Sequence, residues 1–135
     1  MHVTRLDQAP AYEAPNHFDM RCLRLQGKEA GPSAQMWMGM SQILPGGHTG
    51  LDGSPIEKLY LVLEGQLHVV SELEGQRDEQ VLGPYDSCRF APGEKRQLVN
   101  RSPRPVLVAL VMANAPPAGT ELIPSPSPIE KQRQP

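Results

Sequence analysis

Residues 42–65 read Gln-Ile-Leu-Pro-Gly-Gly-His-Thr-Gly-Leu-Asp-Gly-Ser-Pro-Ile-Glu-Lys-Leu-Tyr-Leu-Val-Leu-Glu-Gly. A strand runs into a turn at Pro45-Gly46-Gly47, a polar loop follows, and a dense apolar run, Leu59-Tyr60-Leu61-Val62-Leu63, closes on Glu64-Gly65. That run is too apolar on both faces for a surface strand. It reads as a central strand, with one face on a core and the other on a partner sheet or subunit. The stretch therefore predicts a small β-barrel with a pocket.

The surrounding chain supports this reading. Residues 35–44 form a strand pattern with Met36, Met38 and Met40 on one face and Trp37 and Gly39 on the other. Methionines at this spacing are expected to fill a core or line an adaptable apolar pocket. Residues 20–25 read as an edge strand and residues 27–32 as a turn. After Gly65 come short strands at 67–70, 79–82, 87–90, 96–100 and 106–112. They are separated by turns at Glu74-Gly75-Gln76, Gly83-Pro84, Ala91-Pro92-Gly93 and Ser102-Pro103-Arg104-Pro105. Short strands with a turn every 8–12 residues or so argue for a sandwich or barrel. The expected organisation is an irregular N-terminal arm over 1–19, a barrel domain over 20–113, and a proline-rich C-terminal tail over 114–135. Leu122, Ile123 and Ile129 are the tail's apolar residues.

Composition narrows the function classes. The chain has 135 residues, 13 basic and 15 acidic, for a formal net charge of −2. That balance gives no electrostatic case for nucleic acid or an anionic membrane. Twelve glycines and 15 prolines favour turns and short strands over long helices. Cys22 and Cys88 lie far apart in sequence and read as two buried thiols of a reducing compartment, with a disulfide as the other possibility. There is no N-terminal apolar segment and no apolar run long enough to span a bilayer, so a soluble cytoplasmic protein is expected.

The order of these strands and turns resembles the cupin superfamily, small double-stranded β-helix barrels of the jelly-roll kind. In the first cupin motif a Pro-Gly turn precedes a His-x-His pair, a Glu and a strand-ending Gly. Pro45-Gly46-Gly47 and residues 59–65 match that frame. The second motif has a Gly-Asp turn, Pro-x-Gly, a His and an Asn. Here Tyr85-Asp86, Ala91-Pro92-Gly93 and Asn100 occupy the corresponding places. The resemblance covers about residues 35–112 and implies an all-β cupin barrel.

In that pattern the two His and the Glu of the first motif, with the His of the second, hold a divalent transition metal. Counting back from Gly65 puts the Glu position on Lys58 and the His-x-His pair on Asp52 and Ser54, or one residue earlier if the loop is longer. Counting from Gly93 puts the last His position on Arg96. Cations at Lys58 and Arg96 oppose a metal ion electrostatically, so no metal cofactor is expected. A shifted register would instead bring His48 and Glu57 inward as a partial site for a divalent transition metal.

By period two, Lys58, Tyr60 and Val62 share one strand face, and Arg96, Leu98 and Asn100 share another. If the family topology holds, Lys58 and Arg96 converge in the barrel mouth near Tyr60, Asp52 and His48. Those groups suit a small anionic ligand, a carboxylate gripped by the Arg fork. Structural roles stand beside these: Lys58 paired with Asp52 or Glu57, Arg96 with Asp86 or Glu94, His48 in a turn, His68 packed in its strand, Tyr60 in the core. His2 and His17 read as surface histidines.

Three functions follow. The first is a metal-independent small-molecule-binding cupin. The second is an enzyme. It would be an isomerase or epimerase with His48 or His68 as base and Tyr60 as acid, or a metal-dependent dioxygenase or decarboxylase if His48 and Glu57 form a non-standard site. The third is an oligomerisation unit built on Leu59, Leu61 and Leu63, which implies a homodimer under any of the three.

Overall fold

The computed structural model describes residues 1–115; the proline-rich tail lies almost wholly outside them. The strands are β1 Ala11–Tyr12, β2 His17–Gln26, β3 Met36–Thr49, β4 Lys58–Glu64, β5 Leu67–Leu73, β6 Gln76–Leu82, β7 Ser87–Phe90, β8 Lys95–Val99 and β9 Val106–Ala113. Two one-turn 3-10 helices, Leu6–Gln8 and Lys28–Ala30, complete the described elements. Neither is long and apolar enough to cross a membrane.

All strand pairs are antiparallel and run in the order β6-β5-β8-β3-β9-β4-β7, with β2 on β3 and β1 on β2. The result is a nearly closed barrel. β3 is the strand that turns the corner. Its residues 36–43 pair with β9, and His48 pairs with Val99 of β8. The expected turn at Pro45-Gly46-Gly47 is instead a bulge within this one continuous strand. Against β2 the register jumps from Met20↔Ile43 to Phe18↔His48, and Gly46 adopts φ 83°, a conformation that suits glycine. The extra residues bend the strand so that it can leave one layer and join the other.

The core is the inner face of these strands: Ile43, Val62, Leu67, Leu98, Val106 and Val108, with Tyr60, Phe90 and Trp37. The alternation expected for 36–44 holds, but its sense is reversed. Trp37, Gly39, Ser41 and Ile43 point inward, while Met36 and Met38 are exposed, so these methionines do not line the interior. Gly39 explains the preference. A Cβ there would lie 2.7 Å from the Trp37 ring, so only glycine leaves room for the indole to lie across the strand.

Asn100, at the end of β8, is fully buried and ties the closing loops together. Its Nδ2 donates to the Ile43 carbonyl at 2.9 Å and to the Arg104 carbonyl at 2.7 Å. Its Oδ1 accepts from the Ser102 backbone N–H at 2.9 Å and from its hydroxyl at 2.7 Å. Replacing Asn100 with Ala strands several buried polar groups at once. Urea unfolding of Asn100→Ala is expected to show a loss of about 3 kcal/mol, at the upper end of the range for one unsatisfied buried group.

Candidate functional site

The loop before β4 is pinned on both sides before it reaches the cavity. Gly50 N–H donates to the Asn16 carbonyl at 2.8 Å, and Gly93 N–H donates to the Ser54 carbonyl at 2.7 Å. Between them Asp52 and Arg96 exchange backbone bonds, Asp52 N–H to Arg96 O at 3.1 Å and Arg96 N–H to Asp52 O at 2.9 Å. The loop and β8 thus deliver Asp52, Ser54, Lys58 and Arg96 to one cavity of about 480 Å³. Tyr60, Trp37, Leu110 and Met112 supply its apolar wall, and the N-terminal arm closes it with Tyr12, Glu13, Asn16 and His17.

Arg96 is only 9% exposed, yet its Nε and Nη1 have no hydrogen-bond partner among the described residues. Its guanidinium carbon stands 6.0 Å from the centre of the Tyr60 ring. Lys58 is 7% exposed, and its Nζ donates to the Ser54 hydroxyl. Burial, and secondarily the charge of Arg96, depress the Lys58 pKa to about 8. Burial pushes the Tyr60 hydroxyl up to about 12, so it keeps its proton and serves as a donor near neutral pH. The ion pairs considered for these cations do not form. Glu57 pairs with Arg89, Asp86 accepts from Gly83 N–H at 2.9 Å, and Glu94 accepts from Ala91 N–H at 2.8 Å and from the Ser71 hydroxyl. Asp52 accepts instead from Asn16 Nδ2 at 3.0 Å.

Other candidate residues lie elsewhere. His48 stacks on Phe18 with ring centres 4.9 Å apart, and its Nδ1 is 3.3 Å from the Gly46 carbonyl. His68 pairs with Glu79 at 2.8 Å on the β5–β6 hairpin. Neither lines the cavity, and Glu57 faces Arg89, so His48 and Glu57 are not brought together as a metal site. Conversely, His17 is not a free surface residue. It lines the cavity, its Nδ1 lies 2.7 Å from the Pro15 carbonyl, and burial lowers its pKa. The arm also carries Tyr12, which meets Trp37 edge-on at 5.8 Å. Arg24 packs its guanidinium 3.5 Å from the Tyr12 ring centre and 4.2 Å from that of Trp37, and ion-pairs with Glu29 at 3.2 Å. No motif marked these arm residues. Both cysteines are free thiols, and burial, then Glu94, raises that of Cys88 to about 11.

The donor set does not suit a divalent metal. The positions that the cupin pattern gives to metal ligands hold Asp52, Ser54, Lys58 and Arg96 around one cavity. Two of these are cations, and no cluster of three or more His, Cys, Asp or Glu side chains suited to a metal occurs among the described residues.

An antiparallel barrel with a cavity at its mouth, reached through a bulged corner strand and the two cupin motifs, defines the cupin class. No family model matches the chain. The mycobacterial protein named beta-D-galactosidase Rv1717, from Mycobacterium tuberculosis, is 40% identical over 114 residues, covering 84% of this chain and 95% of that protein. The polyketide cyclase RemF of Streptomyces resistomycificus superposes with a TM-score of 0.72 at 20% identity, covering 100% of this chain and 94% of that one. A cupin-superfamily sugar phosphate isomerase of Silicibacter pomeroyi gives 0.67 at 23% identity, covering 83% and 75%. The chain has the cupin fold, and the protein named beta-D-galactosidase Rv1717 is its relative in sequence.

Lys58 gives a pH test of this geometry. Its folded pKa near 8 lies below the usual lysine value of 10.5, so above pH 8 the folded state binds fewer protons than the unfolded one. Stability contributed at this site therefore rises with pH between about 8 and 10.5, and below 8 the buried ammonium is a net penalty. Lys58→Met should be more stable than the native chain at pH 7, and the gap should close across that window in urea unfolding.

Proposed function

We propose that the barrel mouth binds a small anionic organic molecule, a carboxylate of sugar size, without the metal usual in cupins. The observation that carries this is Arg96, a buried guanidinium that lines the cavity and whose Nε and Nη1 have no partner among the described residues. A carboxylate is gripped by an edge of the guanidinium, and the neighbouring Lys58 adds a second charge. Trp37 and Tyr60 offer apolar surface to the carbon skeleton. Thermal unfolding with a panel of uronic and other sugar acids tests it. A fitting acid at a hundred times its Kd should stabilise the protein by about 2.7 kcal/mol, and Arg96→Gln should abolish the shift. Stabilisation by neutral sugars alone would count against the reading.

A second reading is hydrolysis of a β-galactoside. It is favoured by the name of the relative that is 40% identical and by two carboxyl groups, Glu13 and Asp52, that line the same cavity. Glycoside hydrolysis uses such a pair, one to protonate the leaving oxygen and one to act as nucleophile or base. Asn16 Nδ2 holds Asp52 in place at 3.0 Å, and Glu13 lines the same cavity. Release of nitrophenol from 4-nitrophenyl β-D-galactoside should fall about a hundredfold in Asp52→Asn and in Glu13→Gln. Turnover unchanged in both variants would remove the pair from the chemistry.

We also infer that two copies pair through the outer sheet face. Met36, Met38, Leu59 and Leu61 stand there 52%, 40%, 47% and 39% exposed, on β3 and β4, which flank β9. A contiguous apolar face of this kind is covered in most stable proteins, and an isologous partner presents the same residues. Sedimentation should show a dimer that Leu59→Asp with Leu61→Asp converts to monomer; a monomeric native chain would contradict this.

A further inference from the structure

Lys58 is a buried primary amine that neither of those readings uses as a nucleophile. Its Nζ has the Ser54 hydroxyl as hydrogen-bond partner and Arg96 as charged neighbour, and no carboxylate among the described residues stands within ion-pair distance of it. The remaining lysines of the barrel, Lys28 and Lys95, are exposed. Arg96, whose buried Nε and Nη1 have no partner among the described residues, lines the same cavity. An amine and a guanidinium lining one cavity match a molecule that carries a carbonyl and a carboxylate together.

We propose that Lys58 condenses with the carbonyl carbon of an oxo acid whose carboxylate is held by Arg96; this rests on the anionic-ligand reading of the cavity. In the first step the neutral Nζ attacks the carbonyl carbon. A C–N bond forms, the carbonyl oxygen takes up a proton, and a carbinolamine results. The carbinolamine oxygen takes a second proton from solvent and leaves as water, which breaks the C–O bond and leaves a protonated imine on Lys58. Nothing is oxidised or reduced, and water reverses the sequence. Burial beside a second cation raises the share of uncharged, nucleophilic amine well above that of an exposed lysine, in line with the pKa of about 8. The incoming carboxylate balances the positive charge that the imine restores. The Ser54 hydroxyl, itself fixed by its bond with Ile56 N–H at 3.2 Å, holds Nζ in place for the attack.

Reductive trapping of the full-length protein tests this. Three probes are used with cyanoborohydride: pyruvate, which carries both groups, acetaldehyde, which lacks the carboxylate, and lactate, which lacks the carbonyl. Adducts are located by peptide mass mapping. Pyruvate should label Lys58 about tenfold more than Lys28 or Lys95 and lose about tenfold of that labelling in Arg96→Gln, while Lys58→Arg should show none. Lactate should compete with pyruvate without forming an adduct.

The outcomes separate the two levels of the claim. If lactate raises the unfolding temperature but neither carbonyl compound labels Lys58, the covalent step is overturned and anion binding stands. If acetaldehyde labels Lys58 as well as pyruvate does and Arg96→Gln changes neither, the oxo-acid assignment is overturned together with the anionic reading. Uniform labelling of all lysines overturns the nucleophile.

Discussion

Arg96 enters the barrel with its backbone fully engaged and its head group not. Its N–H and C=O are both spent on Asp52, which locks the loop before β4 to β8, and its position in β8 pairs it with Ser71 of β5. The side chain that this scaffold presents is buried beside Lys58, and its Nε and Nη1 have no acceptor among the described residues. Burying like charges together without a counter-ion lowers stability, because desolvation and mutual repulsion add. Such an arrangement persists where binding or chemistry needs it, and stability is then supplied by other parts of the fold. Asn100 and the Val/Leu/Ile core are those parts here.

The rest of the site is organised around that constraint. The bulge at Gly46 lets β3 serve both layers, which brings β8 and its Arg96 within the same enclosure as β4 and its Lys58. Trp37 reaches the cavity wall because Gly39 clears the strand beneath it. The arm then folds over the opening. β1 pairs with β2, Tyr12 seats on Arg24 and Trp37, and Asn16 and His17 meet the Asp52 loop. A segment with little regular structure thereby contributes much of the polar lining.

Much of this was legible in the sequence. The run 59–63 identified β4, and the turn signals placed the strands from β5 to β9 within a few residues of where they lie. Counting from Gly65 and Gly93 placed Lys58, Asp52 and Arg96 in one cavity, since the cupin frame fixes those distances along the chain. Three features were not legible. Pro45-Gly46-Gly47 carries turn chemistry, and only tertiary pairing with β2 and β8 reveals a bulged strand. The parity of Met36 and Trp37 was visible, but which face turns inward depended on the clearance above Gly39. Glu13 and Asn16 lie between β1 and β2 and His17 opens β2, in a stretch whose sequence has no clear periodicity, so their place at the cavity had no local signal.

The central claim is that this cupin mouth works through cations where a metal would otherwise sit. The most direct test is plasma mass spectrometry of the purified, untagged protein. It is run before and after exposure to iron, manganese, zinc, nickel and copper, with desalting between. The charge of Lys58 and Arg96 predicts only trace metal in every sample. Retention of one metal ion per chain would contradict the account and would require ligands other than those gathered around Arg96.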